Sequence, residues 1–161
     1  MHILQPDWAF LRRHPAHFVA MGLGSGLSPW APGTAGTLIA IPLYEVLVSV
    51  LSPHAMWGMI AVSALLGVWV CDVTGRALGE IDHGGIVWDE IVAFWGVLML
   101  TPPGIAWLAL AFILFRVFDI WKPFPIGWLD RRIKNAWGVM LDDGLAAVYT
   151  VAVLKLIQYL W

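Results

Sequence analysis

Charge is scarce in this chain. Asp, Glu, Lys and Arg make up 12% of its 161 residues, about half the share of an ordinary soluble domain. So few charges cannot coat a water-facing surface, which implies that lipid or a partner covers part of the molecule. The formal net charge of −2 gives no polyanion-binding footprint and argues against a nucleic-acid ligand. One cysteine, Cys71, permits no internal disulfide and fits a reducing compartment. The opening MHILQPDWAFLRRHPAHF lacks the apolar stretch of an export signal. Repeats, low-complexity tracts and flexible linkers are missing. So are several reaction plans: no Gly-Lys-Ser/Thr follows the glycine-rich segment, no Gly-x-Ser-x-Gly elbow occurs, no Asp-x-Asp pair opens a strand, and no phosphate loop accompanies Cys71 and Arg76.

What is present is apolar: 60% of the residues, eleven of them Trp. The length fits a single domain over residues 1–161, with 1–16 as a peripheral segment. Apolar runs fall at 38–51, 55–71, 91–100, 105–118 and 144–161, and nothing alternates with period two for long, so an all-α fold is predicted. The breaks at 52–54 (SPH) and 101–104 (TPPG) read as tips of helical hairpins. A membrane-spanning helix needs roughly 20 residues. The runs 55–71 and 144–161 qualify, whereas 38–51 is short and holds Glu45. The tryptophans suit the core and the membrane–water boundary.

If 38–71 and 91–118 are hairpins, residues 1–37, 72–90 and 119–143 share one face. That face holds most of the basic residues, Lys155 excepted, and nearly every acid. The positive-inside tendency then predicts a cytoplasm-facing acidic site on a compact helical membrane domain. Polar loops also collect charges by hydropathy alone, but that does not account for acids inside apolar runs.

Two such acid pairs exist, Asp89-Glu90 in IVWDEIVAFWG and Asp142-Asp143 in VMLDDGLAAVY. Each is read as standing near a helix start. A carboxylate there gains about 0.3–1 kcal/mol, so capping explains one acid of each pair. The second points about 100° away and is left over. The alternative is convergence, with Asp82 or Asp119, on a hard divalent cation. In FRVFDIWKPFPI, Arg116 and Asp119 share a helix face and Lys122 precedes the helix-ending Pro123. They read either as an ion pair with a terminal cation or as a phosphate clamp. The segment GLGSGLSPWAPGTAGT reads as a tight loop in which Thr34 or Thr37 caps the next helix, or as a helix start that binds phosphate. Of the histidines only His83 lies near the acids, either as a polar loop residue or as a proton carrier.

Taken together, GLGSGLSPWAPGTAGTLIAIPLY, DHGGIVWDE, FRVFDIWKPFPI and GVMLDDGLAA, in that order and spacing, resemble the phosphatidylglycerophosphatase A family from about residue 17 to 155. The resemblance implies an all-helical, Mg²⁺-dependent phosphatase of the bacterial inner membrane. Such an enzyme hydrolyses phosphatidylglycerophosphate to phosphatidylglycerol and inorganic phosphate. It implies metal or water-activating roles for Asp82, Asp89, Glu90, Asp142 and Asp143, and phosphate binding by Arg116 and Lys122. Asp119 would serve the metal or orient Arg116, and Ser25 and Thr34 would donate to phosphate. The chain departs from the family pattern at Asn135, Ala136 and Trp137, where glycines are usual, and at Ala93.

The expected chemistry is metal-assisted monoester hydrolysis with the lipid tails in the bilayer. Asp89, Asp142, Asp119 or His83 would handle water and protons, and Arg116 and Lys122 would stabilise the transferring group. The rivals are a cation-coupled transporter, which predicts acids spread through membrane depth, and a phospholipid-binding protein without turnover.

Overall fold

The structure is a computed structural model. It describes residues 4–160, and all regular structure among them is helical. Two short helices, α1 (Trp8–Arg13) and α2 (Pro15–Ala20), lead through a 3-10 segment (Gly22–Leu27) into α3 (Pro32–Val50). Then follow α4 (Pro53–Leu78), α5 (Trp88–Leu100), α6 (Ile105–Trp121), α7 (Ile126–Arg132) and α8 (Ala136–Leu160).

The predicted hairpin tips are there, with local chemistry to match. Ser52 Oγ accepts from the Ala55 N–H at 3.3 Å and Pro53 takes the first helical position, so SPH stops α3 and starts α4. At TPPG, Gly104 supplies a φ of 123° that a side chain resists, and α6 begins beside it. The helices outrun the apolar runs at the charged end, because α3 and α4 continue through small and polar residues. Helices α1, α2 and α7 are too short to leave a periodic signature. The Asp7 carboxylate starts α1 by accepting from the Phe10 N–H at 2.7 Å, and His14 Nδ1 does the same for Ala16 at 3.1 Å. Phe10 and Leu11 are buried, and α2 packs on α4.

Helix α5 is the hub. It packs against α3, α4, α6 and α8 and is buried along most of its length. At about 1.5 Å per residue its 13 residues span about 20 Å. Phe94 packs at a tilt against Phe115 and meets Phe112 edge-on, joining α5 to α6. The indole N–H groups of Trp88 and Trp95 donate to the carbonyls of Ser63 (3.1 Å) and Ala40 (3.0 Å), tying α5 to α4 and α3. Trp30, Trp69, Trp121 and Trp137 are exposed instead.

Helices α3 and α4 are each long and apolar enough to cross a membrane, and only 22% and 28% of their apolar windows is buried within the protein. Leu38, Val46, Val62 and Leu65 face outward. A core helix of a water-soluble protein would hide such residues, so these surfaces suit lipid contact. The up-and-down order puts the starts of α3, α5 and α8 and the ends of α4 and α6 at one end of the bundle.

Candidate active site

That end is where the charges converge. Asp89 and Glu90 lie in the first turn of α5. Asp142 and Asp143 are the seventh and eighth residues of α8, in its second turn. The reading that both pairs stand at helix starts therefore holds for only one of them, and first-turn capping does not reach Asp142 or Asp143. Asn135 starts α8 instead, its Oδ1 accepting from the N–H groups of Trp137 (3.0 Å) and Gly138 (3.2 Å). Gly138 is required here, because a Cβ would sit 1.8 Å from the Ile133 carbonyl oxygen.

Asp89, Glu90 and Asp143 each turn one carboxylate oxygen into a common space, all within 4.8 Å of one another. Asp89 Oδ1, Glu90 Oε2 and Asp143 Oδ2 are buried without a hydrogen-bond partner in the protein. Burial, then the charges of Glu90 and Asp143, pushes the Asp89 carboxyl well above the usual range. Burial, then Asp119 and Glu90, does the same to Asp143. Burial raises Glu90 to about 7, against the opposing pull of neighbouring Asp89 and of the Arg116 charge. These acids precede the apolar runs 91–100 and 144–161.

Arg116 closes one side. It pairs with Asp119 at 2.6 Å as the i,i+3 spacing predicts, approaches Glu90 at 3.7 Å, and donates to Thr37 Oγ1 at 3.4 Å. Neither Thr34 nor Thr37 caps α3. Pro32 occupies its first position after Ala31 in the left-handed region, and the Thr37 hydroxyl donates to the Gly33 carbonyl at 2.9 Å. Gly33 lies so close that a Cβ would come within 2.3 Å of Glu90 Oε1 and 3.0 Å of Arg116. Sequence reasoning missed Gly33 as part of this site.

Lys122 closes another side. As the left-handed cap of α6 it turns away from the helix axis. Its ammonium bonds Asp142 and reaches Asp130 at 3.4 Å, which also pairs with Lys134 at 3.3 Å. Burial alone would lower the Lys122 pKa, but Asp142, Asp130 and Asp82 outweigh it and raise it, so the cation is secure. Burial raises Asp142 to about 6 although Lys122 opposes it. Asp130 was not singled out from the sequence, since its only signal was an i,i+4 spacing to Lys134.

Other expected residues lie at the periphery. Asp82 lines a ≈ 340 Å³ groove with Asp130, Lys134 and Asn135, near enough to bear on Asp142 and Lys122. His83 accepts from the Gly85 N–H at 3.0 Å and lines a different groove with Gly26, Ser28 and Pro32. Ser25 spends its hydroxyl on the Gly22 carbonyl at 2.8 Å. Thr34 sits two residues from Pro32 in the first turn of α3.

Buried, mutually repelling carboxylates with orphaned oxygens are stable only when protonated or when a cation joins them. An all-oxygen donor set suits a hard divalent ion. Asp89, Glu90 and Asp143 therefore fit a metal.

The sequence pattern of the family described as phosphatidylglycerophosphatase A matches residues 18–158. The chain belongs to the phosphatidylglycerophosphatase A family. Within it, the chain is 45% identical over 147 residues to the phosphatidylglycerophosphatase A of Haemophilus influenzae, covering 91% of this chain and 90% of that one. It is 39% identical over 150 residues to the phosphatidylglycerophosphatase A of Escherichia coli K12 (92% and 86%). A Bacteroides thetaiotaomicron protein named putative phosphatidylinositol-3-phosphatase is 36% identical over 148 residues (88% and 92%). No solved structure matches. As a phosphatidylglycerophosphatase A family member, the protein is an enzyme, a phosphoric monoester hydrolase. The departure from the family's usual glycines at Asn135 now has a local reason: its side chain caps α8.

Proposed function

We propose that the protein hydrolyses phosphatidylglycerophosphate to phosphatidylglycerol and inorganic phosphate in phospholipid synthesis, using Mg²⁺, at the cytoplasmic face of a bacterial inner membrane. The observation that carries this reading is the meeting of three orphaned carboxylates with Arg116 and Lys122 at one end of a bundle whose outer helices are apolar. The names of the relatives support a phosphomonoester borne on a phosphatidyl lipid. The crowding of basic residues at the same end supports the cytoplasmic orientation.

Asp89, Glu90 and Asp143 hold the ion. When bound, Mg²⁺ supplies charge neutralisation at the phosphoryl oxygens and a water of lowered pKa. Arg116 is fixed by Asp119 and Thr37 and offers its guanidinium to the phosphoryl oxygens, where charge builds as the ester bond breaks. Lys122 keeps its proton and holds Asp142 in the ionised form. Asp142, with a pKa near 6, is the assigned acceptor of the proton from attacking water. His83 is engaged within its own loop, so no step is assigned to it. Ser25, Thr34 and Asp82 are assigned no step.

The test is phosphate release from purified protein and phosphatidylglycerophosphate in detergent, with and without Mg²⁺. Release that needs the ion is expected. Ion flux without release would favour a transporter, and lipid binding without release would favour a non-catalytic phospholipid-binding protein.

A further inference from the structure

The outer surface of α4 changes character along its length. Val62, Leu65 and Trp69 recur at helical spacing and are exposed, so the bilayer face of the helix reaches as far as Trp69. Beyond it come Asp72 and Arg76, joined at 2.9 Å with the arginine side chain 75% exposed. The start of α8 lies opposite. Between the two helices is a groove of ≈ 440 Å³, apolar at Leu65 and Val68 and rimmed by Trp69, Trp137 and the Asp72–Arg76 pair. Tryptophan favours the membrane–water boundary, so this groove opens at the depth of lipid headgroups.

Its hydrogen-bonding groups are largely unspent. Trp88 and Trp95 commit their indole N–H groups within the protein, whereas among the described residues those of Trp69 and Trp137 have no partner. Asn135, which also lines the groove, uses its Oδ1 on the start of α8 and keeps its amide nitrogen to donate. Arg76 meets Asp72 through Nε, and the two terminal nitrogens of its fork remain. These donors suit the oxygens of a phosphodiester. The Asp72 carboxylate can only accept. It repels an anionic lipid but suits a headgroup that also carries an ammonium. Lys134, the neighbouring cation, is taken by Asp130 at 3.3 Å. One fixed charge of each sign then favours a zwitterion.

We propose that the groove between α4 and the start of α8 binds the headgroup of a zwitterionic aminophospholipid, its phosphodiester on Arg76 and its ammonium on Asp72, with the acyl chains along Leu65 and Val62. This goes beyond the hydrolase reading and does not rest on it, since none of Asp89, Glu90 and Asp143 lines the groove. Trp137 belongs to the first turn of α8. A lipid seated against it braces the helix that carries Asp142 and Asp143.

In the experiment, full-length protein in detergent micelles is incubated with equal amounts of dioleoyl phosphatidylethanolamine, phosphatidylglycerol and phosphatidylcholine. Retained lipid is identified by native mass spectrometry. Site occupancy is the lipid that Arg76→Gln fails to retain. Phosphatidylethanolamine is expected to dominate that fraction, because choline has no N–H for Asp72 and phosphatidylglycerol brings a net negative charge. Asp72→Asn is expected to shift the fraction from phosphatidylethanolamine toward phosphatidylglycerol on the order of fivefold, what one charge pair at a water-facing site yields. Retention that ignores Arg76→Gln marks ordinary boundary lipid and overturns the proposal. So does a fraction led by phosphatidylglycerol or phosphatidylcholine, or one that Asp72→Asn leaves unchanged. Absence of phosphate release in the assay above would sink the hydrolase reading alone and leave this lipid site standing.

Discussion

The two ends of the bundle solve opposite problems. At the far end, α3 turns into α4 and α5 into α6 through short Pro- and Ser-bearing tips, and the polar groups there cap or bond locally. Nothing at that end asks the chain to bury an unpaired charge. At the charged end the chain needs α7, three non-glycine residues in left-handed backbone (Leu23, Ala31 and Lys122) and glycines such as Gly26, Gly33 and Gly138 at which a Cβ would collide with a neighbour. That irregular scaffold holds buried carboxylates at distances where they repel. The comparison teaches that the costly end is the functional one: a fold built for stability alone would not leave Asp89, Glu90 and Asp143 with orphaned oxygens.

The sharpest way to break this contrast is Asp143→Asn. Turnover is expected to fall at least about a thousandfold, roughly 4 kcal/mol of barrier. Without divalent ions the variant should melt higher than the parent, since one buried repelling charge is gone. Phosphate release and thermal unfolding measure the two, and a variant that kept its activity would remove Asp143 from the site.

Arg116→Lys comes next. It keeps the charge but loses the planar fork that meets Asp119, Glu90 and Thr37 together. A fall of about 10²-fold in kcat is expected. Steady-state kinetics showing a KM effect alone would make Arg116 a binding residue only.

The third prediction concerns pH. Glu90 and Asp142 are raised by burial to about 7 and about 6, above the usual carboxylate values near 4. Between about pH 4 and 7 the folded chain therefore holds protons that the unfolded chain has released. Without divalent ions its stability should fall as pH rises through that window. Saturating Mg²⁺ should flatten the slope by displacing the Glu90 proton. Melting curves across the window check this, and a slope indifferent to Mg²⁺ would detach the ion from these acids. The smallest effect belongs to the far end: Lys155→Ala, at an exposed residue bonded to Gln158, should change stability by less than about 0.5 kcal/mol and leave phosphate release unaltered.

Much of this was written in local pattern. The apolar runs and their Pro-bearing breaks marked the long helices, because burial of a stripe or a whole helix is a property of neighbouring residues. The i,i+3 spacing of Arg116 and Asp119 foretold their ion pair. Other features had no local signature. The three short helices fall below the length at which periodicity is legible. Asn135 is a favoured cap and starts α8, but the apolar run begins only at 144, so hydropathy placed Asp142 and Asp143 at the helix start when they lie beyond its first turn. Gly33 looked like one more loop glycine until Glu90 and Arg116 were seen against it.

By itself, then, the order of residues determined the helical class, the hairpin tips and the family. Of the two runs expected to span, 55–71 lies in α4, whereas the other helix long and apolar enough among the described residues is α3 and not the one that holds 144–161. Which acids share a space was decided only when α5 and α8 packed side by side, bringing Asp89 and Glu90 to Asp143 while Asp142 pairs with Lys122. Spacing along a chain limits which side chains can meet within one helix. Meetings between helices depend on how the helices cross, and that is set by the packing of the whole core.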